Sequence, residues 1–208
     1  IEYPNNEHSQ MTDNDGVSPI HWASLNNRLT AVEFLIHNQF DPDISGGDLN
    51  ATPILWAARY GLVYIVDKLI VKGHVRTDTL DSTGVGILHA AVFSSNALMV
   101  AYILKMIDGI DVDFQDLNGR SALHWAAYQG DHLTVELLIN SGAKLDLQDE
   151  QGFTAIHWAM VNGSSKSIQL LVNSGSDINL ATSDGKTCWT VASDMNFTEQ
   201  WRKILALC

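Results

Sequence analysis

A single short string governs how this chain can fold. Gly-x-Ser/Thr-Pro/Ala-Ile/Leu-His-Trp-Ala recurs in register at Gly16–Ala23, Asn50–Ala57, Gly84–Ala91, Gly119–Ala126 and Gly152–Ala159, with a weaker copy at Gly185–Ala192. The spacing is about 33 to 35 residues. A repeat of that length is one supersecondary unit, too small to bury its own apolar face. Neighbouring copies must therefore stack, so the core is built repeat by repeat along the chain.

Within each copy the pattern predicts a short helix running on from the His. A small or polar turn follows, such as Gln129-Gly130 or Asn162-Gly163. A second helix then carries apolar residues at helical spacing, as at Val135, Leu137, Leu138 and Ile139. It stops at Ser141-Gly142-Ala143 or Ser174-Gly175-Ser176, where glycine supplies the left-handed residue of a C-cap. An Asp-rich stretch, Leu145 to Gly152, leads to the next copy. These features resemble the ankyrin repeat. The resemblance implies an all-α fold, an ankyrin-repeat solenoid of roughly six helix-turn-helix repeats with a concave face of turn tips and inner helices. It covers residues 13–208, and the polar, unpatterned residues 1–12 read as a linker or the end of a preceding repeat.

The copies are not identical. Asn50 stands where the turn Gly is expected, which is tolerable because Asn enters the left-handed region more readily than most residues. Leu55 replaces the motif His, and the third copy has Gly86-Ile87 in place of Thr-Pro. The second helix region of that copy is expected to run longer, through Lys105–Gly109. The final copy has Thr190 at the His position and diverges through Asp194–Glu199, as a terminal capping repeat does.

Charge narrows the function. With 24 acidic and 12 basic residues, a net −12, the chain would be repelled by nucleic acid and by anionic membrane surfaces, both gripped through Lys and Arg. Two cysteines, Cys188 and Cys208, are too few for a disulfide framework or a Cys-based zinc site and read as reduced thiols in a cytosolic compartment. No apolar run reaches the ~20 residues of a membrane span. Leu62–Val71, broken by Asp67 and Lys68, reads as an amphipathic helix. This segment is therefore expected outside the membrane, with a monomer as the default.

Catalytic, cofactor-binding and metal residues are expected to be absent from the chain. His21, His89, His124 and His157 occupy the motif position, where an imidazole is expected to hydrogen-bond the turn and neighbouring backbone. No His pair has the spacing of a helical metal site, and no Gly-rich phosphate loop occurs. Carboxylates such as Asp111 and Asp113 lie in linker stretches and read as solvated charge. Trp22, Trp56, Trp125 and Trp158 each follow the motif His position, whereas the third copy has Ala90 there. At about 10 Å per repeat they form two pairs along the inner helices. Packing between helices and anchoring of a bound segment are both open readings, since Trp is the residue type most often found at binding hot spots.

Some strings are more specific than the repeat. His21-Trp-Ala-Ser-Leu-Asn-Asn-Arg-Leu29, Gly46-Gly-Asp-Leu-Asn-Ala-Thr-Pro53, Trp56-Ala-Ala-Arg-Tyr-Gly61 with Tyr64-Ile-Val-Asp67, and Trp125-Ala-Ala-Tyr-Gln-Gly-Asp131 are the clearest. Together they resemble the N-terminal ankyrin domain of the ankyrin-bearing DHHC palmitoyltransferases, the fungal branch above all. The huntingtin-interacting animal relatives share the Asn-Asn-Arg and Gly-Gly-Asp-Leu-Asn strings. The resemblance implies a multi-pass parent enzyme in the Golgi or early endosome membrane. Its Asp-His-His-Cys domain would bind zinc, take palmitate from palmitoyl-CoA and pass it to substrate cysteines. The ankyrin domain would face the cytosol and recruit substrate proteins.

None of that machinery occurs in this sequence, so zinc and palmitoyl-CoA belong to the parent and the chain itself reads as a non-catalytic protein-interaction module. For fungal members the resemblance also implies links to pheromone signalling through G-protein βγ and to endocytosis. The animal relatives bind an unstructured peptide with a β-branched pair followed by Gln-Pro. By resemblance their Asn and Trp fall on Asn26 and Trp56, and an acidic contact falls on Asp15. With Trp22 from the tryptophan row, these form the expected partner-binding set. The alternative is a free-standing ankyrin scaffold or inhibitor with no enzymatic parent.

Overall fold

The computed structural model describes residues 11–196 and 198–205. The linker reading of residues 1–12 therefore falls mostly outside the described residues, as does the reading of Cys208. Twelve helices are present among the described residues: α1 (Pro19–Leu25), α2 (Leu29–His37), α3 (Pro53–Arg59), α4 (Val63–Gly73), α5 (Ile87–Phe93), α6 (Ala97–Met106), α7 (Ala122–Gln129), α8 (His132–Asn140), α9 (Ala155–Asn162), α10 (Ser165–Asn173), α11 (Cys188–Asp194) and α12 (Thr198–Leu205). Strand pairing among them is limited to isolated bridges at turn bases, such as Gly46 with Ala51.

The chain divides into two compact units, one ending at Ser94 and the other beginning at Ser95. In the first, α1, α3 and α5 pack in succession, and α2 packs on α4 behind them. In the second, α7, α9 and α11 form the inner series, and α6, α8, α10 and α12 the outer one. The buried side chains follow the motif. Ile20, Ile54, Leu123 and Ile156 of the inner helices, and Val32, Leu69, Leu138 and Leu171 of the outer ones, are essentially inaccessible. The Leu62–Val71 stretch forms most of α4 and buries Ile65, Val66 and Leu69.

Four of the turns preceding an inner helix, those before α1, α5, α7 and α9, are each closed by one carboxylate. Asp13 Oδ1 accepts the backbone N–H groups of Asp15 and Val17 at 3.0 and 2.9 Å. Asp81 does the same for Thr83 and Val85, Asp116 for Asn118 and Arg120, and Asp149 for Gln151 and Phe153. The turn Gly is left-handed at Gly16, Gly84, Gly119 and Gly152, and Asn50 takes the same conformation at φ 49°, as its side chain permits. Successive turns are then stitched by backbone bonds. Gly47 donates to Asp15 O and Ser82 to Leu49 O in the first unit; Glu150 donates to Asn118 O and Ser183 to Gln151 O in the second. At Gly46 the approach is so close that an added Cβ would lie 2.3 Å from the Gly16 carbonyl oxygen.

The motif histidines couple one repeat to the next. His21 Nδ1 accepts from the backbone N–H of Ser18 at 3.2 Å and lies 2.9 Å from its hydroxyl. An accepting Nδ1 leaves the proton on Nε2, which donates to Ala51 O at 2.9 Å in the following repeat. His124 makes the same bonds to Ser121 and donates to Leu147 O at 2.9 Å. His157 binds Thr154 in this way. Its Nε2 faces the Leu180 and Lys186 carbonyls without good hydrogen-bond geometry. Where Leu55 replaces the His, the N-cap Thr52 hydroxyl instead meets that of Thr79 at 3.2 Å.

Two expectations need correction. The second helix of the third copy ends at Met106 and not beyond, because Gly109 at φ 71° closes the following turn. Nor are the linker carboxylates merely solvated. Asp113 accepts from the Lys144 N–H at 2.8 Å, Asp43 from Arg76 at 3.0 Å and Asp146 from Asp177 at 2.9 Å, each binding the linker of the next repeat. Cys188 is fully buried, which pushes its thiol up to about 12 and leaves it unreactive.

Burial depresses the pKa of His21, His124 and His157 below the usual 6.5, against the raising effect of their carbonyl and carboxylate neighbours. The unfolded chain therefore binds these protons first. Their stabilisation is complete above the unfolded value of about 6.5 and is lost as the pH falls from there toward the depressed folded values. Thermal unfolding should accordingly show a plateau in melting temperature above pH 7 and a decline as the pH falls below about 6.5. His124→Ala strands the Ser121 N–H and the Leu147 carbonyl and should cost about 3 kcal/mol in denaturant unfolding. An unchanged midpoint would contradict the coupling role.

Candidate functional site

An open groove of 410 Å³ lies in the first unit, crossing α1, α3 and α5 at the level of their preceding turns. Trp22 and Trp56 form its aromatic wall. Each occupies the fourth position of its helix, one repeat apart, and their rings meet edge to face at 6.2 Å. His21 lies 5.0 Å from the Trp56 ring. Trp22 is 50% exposed and Trp56 half-buried. Trp56 settles over Gly47, where an added Cβ would lie 2.8 Å from Cζ2 and φ is 75°. The Gly46-Gly47 pair thus has two separate causes, one backbone contact and one ring contact.

Four carboxylates line the groove, Asp13, Asp15, Asp48 and Asp81, against the single guanidinium of Arg59. Arg59 is held over the Phe93 ring at 4.4 Å. Asp15, Trp22 and Trp56, all expected from sequence, are therefore brought together. Asn26 is not among the lining residues. It caps the C-terminus of α1, and its Nδ2 donates to the Trp22 carbonyl at 2.8 Å.

The second unit shows what the same positions do when filled. Trp125 Nε1 donates to Asp116 Oδ2 and Trp158 Nε1 to Asp149 Oδ2, both at 3.0 Å. Tyr128 stands between the two rings, at 6.1 and 5.4 Å. Arg120 lies over Trp158 at 4.7 Å and Trp125 at 5.2 Å, its Nε 3.5 Å from Asp149 Oδ2. This pair is packing, held by charge and ring contacts. The cavity left beside it is only 220 Å³.

The first pair differs. Nine residues before Trp56 stands Gly47 in place of an Asp, and no acceptor among the described residues bonds the Trp22 or Trp56 indole N–H. The second motif position is also small throughout the first unit, with Val17, Ala51 and Val85 where Arg120 and Phe153 stand in the second. All three small residues line the groove. The signal is visible only when the copies are aligned, because a small residue at a variable position marks nothing by itself.

Among the described residues no helix is long and apolar enough to cross a membrane, and no three His, Cys, Asp or Glu side chains gather to hold a metal ion.

Comparison with known proteins agrees with this architecture. The family described as ankyrin repeats (3 copies) matches residues 102–182, and a single ankyrin repeat matches residues 15–44. The chain is 47% identical over 188 residues to palmitoyltransferase AKR1 of Lachancea kluyveri, covering 89% of this chain and 25% of that protein. It is 49% identical over 181 residues to the protein of the same name from Kluyveromyces lactis, covering 86% and 24% respectively. It thus spans about a quarter of the length of these relatives. The crystal structure of the ankyrin repeat domain of Bcl-3, described as a unique member of the IkappaB protein family, superposes with a TM-score of 0.80 at 27% identity, covering 92% of this chain and 86% of that one. Repeat, turn chemistry and relatives converge: the chain belongs to the ankyrin-repeat family, as a domain similar to the one carried by fungal palmitoyltransferases.

Proposed function

We propose that this domain recruits substrate proteins for S-palmitoylation by a parent palmitoyltransferase, and that the groove of the first unit is where it holds them. The carrying observation is the Trp22–Trp56 wall. Its two indole N–H groups have no acceptor among the described residues and stand beside an open groove, whereas the equivalent pair in the second unit is bonded and covered. Aromatic rings with a free donor suit an extended segment, offering area to a proline or aliphatic side chain and a hydrogen bond to a peptide carbonyl. At about 3.3 Å per residue, six residues of extended chain would cover two or three repeats.

The similarity to fungal palmitoyltransferases supports the enzymatic parent. The resemblance in the Asn26, Trp56 and Asp15 neighbourhood supports a peptide with a β-branched pair followed by Gln-Pro. Asn26 enters this reading through its place at the end of α1, and its amide would have to leave the Trp22 carbonyl to reach a peptide. On the same reading the parent resides in the Golgi or early endosome membrane with its zinc-binding domain outside this segment. It uses palmitoyl-CoA, and G-protein βγ is a further partner.

A labelled Val-Val-x-x-Gln-Pro peptide titrated against the native chain and Trp56→Ala tests the groove. The substitution should weaken binding by about 2 kcal/mol, roughly thirtyfold, with the melting temperature little changed. Equal affinities would remove the groove from the recruitment reading.

A further inference from the structure

The two units carry the same slot in two states. In the second, the residue after the turn Gly is Arg120. Its guanidinium lies over Trp125 of its own repeat, over Trp158 of the next, and beside the next turn carboxylate, Asp149. Moving the same positions into the first unit gives Ala51 for Arg120, Trp56 for Trp125, Asp81 for Asp149 and Ala90 for Trp158. All four line the groove. The arginine is missing, and the second tryptophan is reduced to a methyl group.

What remains is a recess with an aromatic side and an anionic end. Asp81 is 8% exposed. Its Oδ1 is occupied by the Thr83 and Val85 N–H groups and the Thr83 hydroxyl. Its Oδ2, the atom whose counterpart in Asp149 meets Trp158 and Arg120, has no partner among the described residues and is not sealed off. The nearby cation, Arg59, is held on Phe93 instead.

We propose that this recess takes the guanidinium of an arginine side chain on the bound segment, stacked on Trp56 and paired with Asp81, in the place that Arg120 fills within the second unit. The proposal rests on the groove being a site for an extended segment and adds the chemistry of one of its side chains. Arg fits better than Lys because a planar guanidinium can stack on an indole and present N–H groups to a carboxylate at once. Asp13, Asp15 and Asp48 along the same groove add an attractive field that salt will screen.

The test uses N-acetyl-arginine amide and its neutral isostere N-acetyl-citrulline amide as probes, followed through the indole N–H signals of Trp22 and Trp56. The arginine compound should bind roughly tenfold more tightly than the citrulline one. Asp81→Asn, whose amide oxygen can still accept the turn N–H groups, should abolish the preference. Ala51→Arg, which installs the counterpart of Arg120, should plug the recess and abolish arginine binding while the chain still unfolds cooperatively. Equal affinity for the two amides, or a preference that survives both substitutions, would overturn the proposal. The Val-Val-x-x-Gln-Pro peptide carries no arginine, so its behaviour reports on the recruitment reading separately. Arginine amide bound without that peptide would keep the recess and drop the peptide motif; the converse would drop the recess alone.

Discussion

The structure depends on one arrangement repeated along the chain: a carboxylate oxygen that gathers two backbone N–H groups of a four-residue turn. Asp13, Asp81, Asp116 and Asp149 each do this. A tight turn exposes N–H groups that no helix or sheet satisfies, and leaving them unpaired in a stacked interior would be costly. Once the turn is fixed, the residues after it enter the next helix with an extended Ser or Thr at the N-cap, and the His three residues on has both its partners in place. The imidazole then joins that N-cap to a carbonyl of the next repeat. Local turn chemistry and repeat-to-repeat cohesion are thus one network, with the apolar core assembling around it.

The turn itself does not depend on which side chain occupies the second motif position. Val17, Ala51, Val85, Arg120 and Phe153 all follow the turn residue without changing the turn itself. What changes is the surface above it. In the second unit the long side chains cover the tryptophans, and the indole N–H groups are bonded to turn carboxylates. In the first, small side chains leave the rings open and Gly47 removes one of the carboxylates.

Much of this was legible from the sequence. The repeat period, the histidine role, the left-handed Asn50 and the pairing of tryptophans follow from local rules that stacking reinforces, so pattern and structure agree. The groove was legible only in part. Trp22 and Trp56 stand out as a row of aromatics at one motif position, and Asp15 enters only through the resemblance to the animal relatives; all three line the groove. The recess beside them was not legible, since it arises from what Ala51 and Ala90 lack, and small residues give no signal until compared with a filled copy. Asn26 shows the opposite limit. Its place at the end of α1 could be read from the sequence, but the competing hydrogen bond from its amide to the Trp22 carbonyl could not. The linker carboxylates were misread for a similar reason: partners about 31 to 33 residues away, such as Lys144 for Asp113 and Arg76 for Asp43, are invisible to a local window.

A position that the turn leaves open yet that decides whether a slot is open or shut has a consequence for how such domains diversify. One substitution at a single site per repeat can close a groove or open another elsewhere in the array. The turns and the histidine couplers would need no compensating change. Descendants of one ancestral domain could therefore exchange clients by small steps, each viable on its own, without passing through an unstable intermediate.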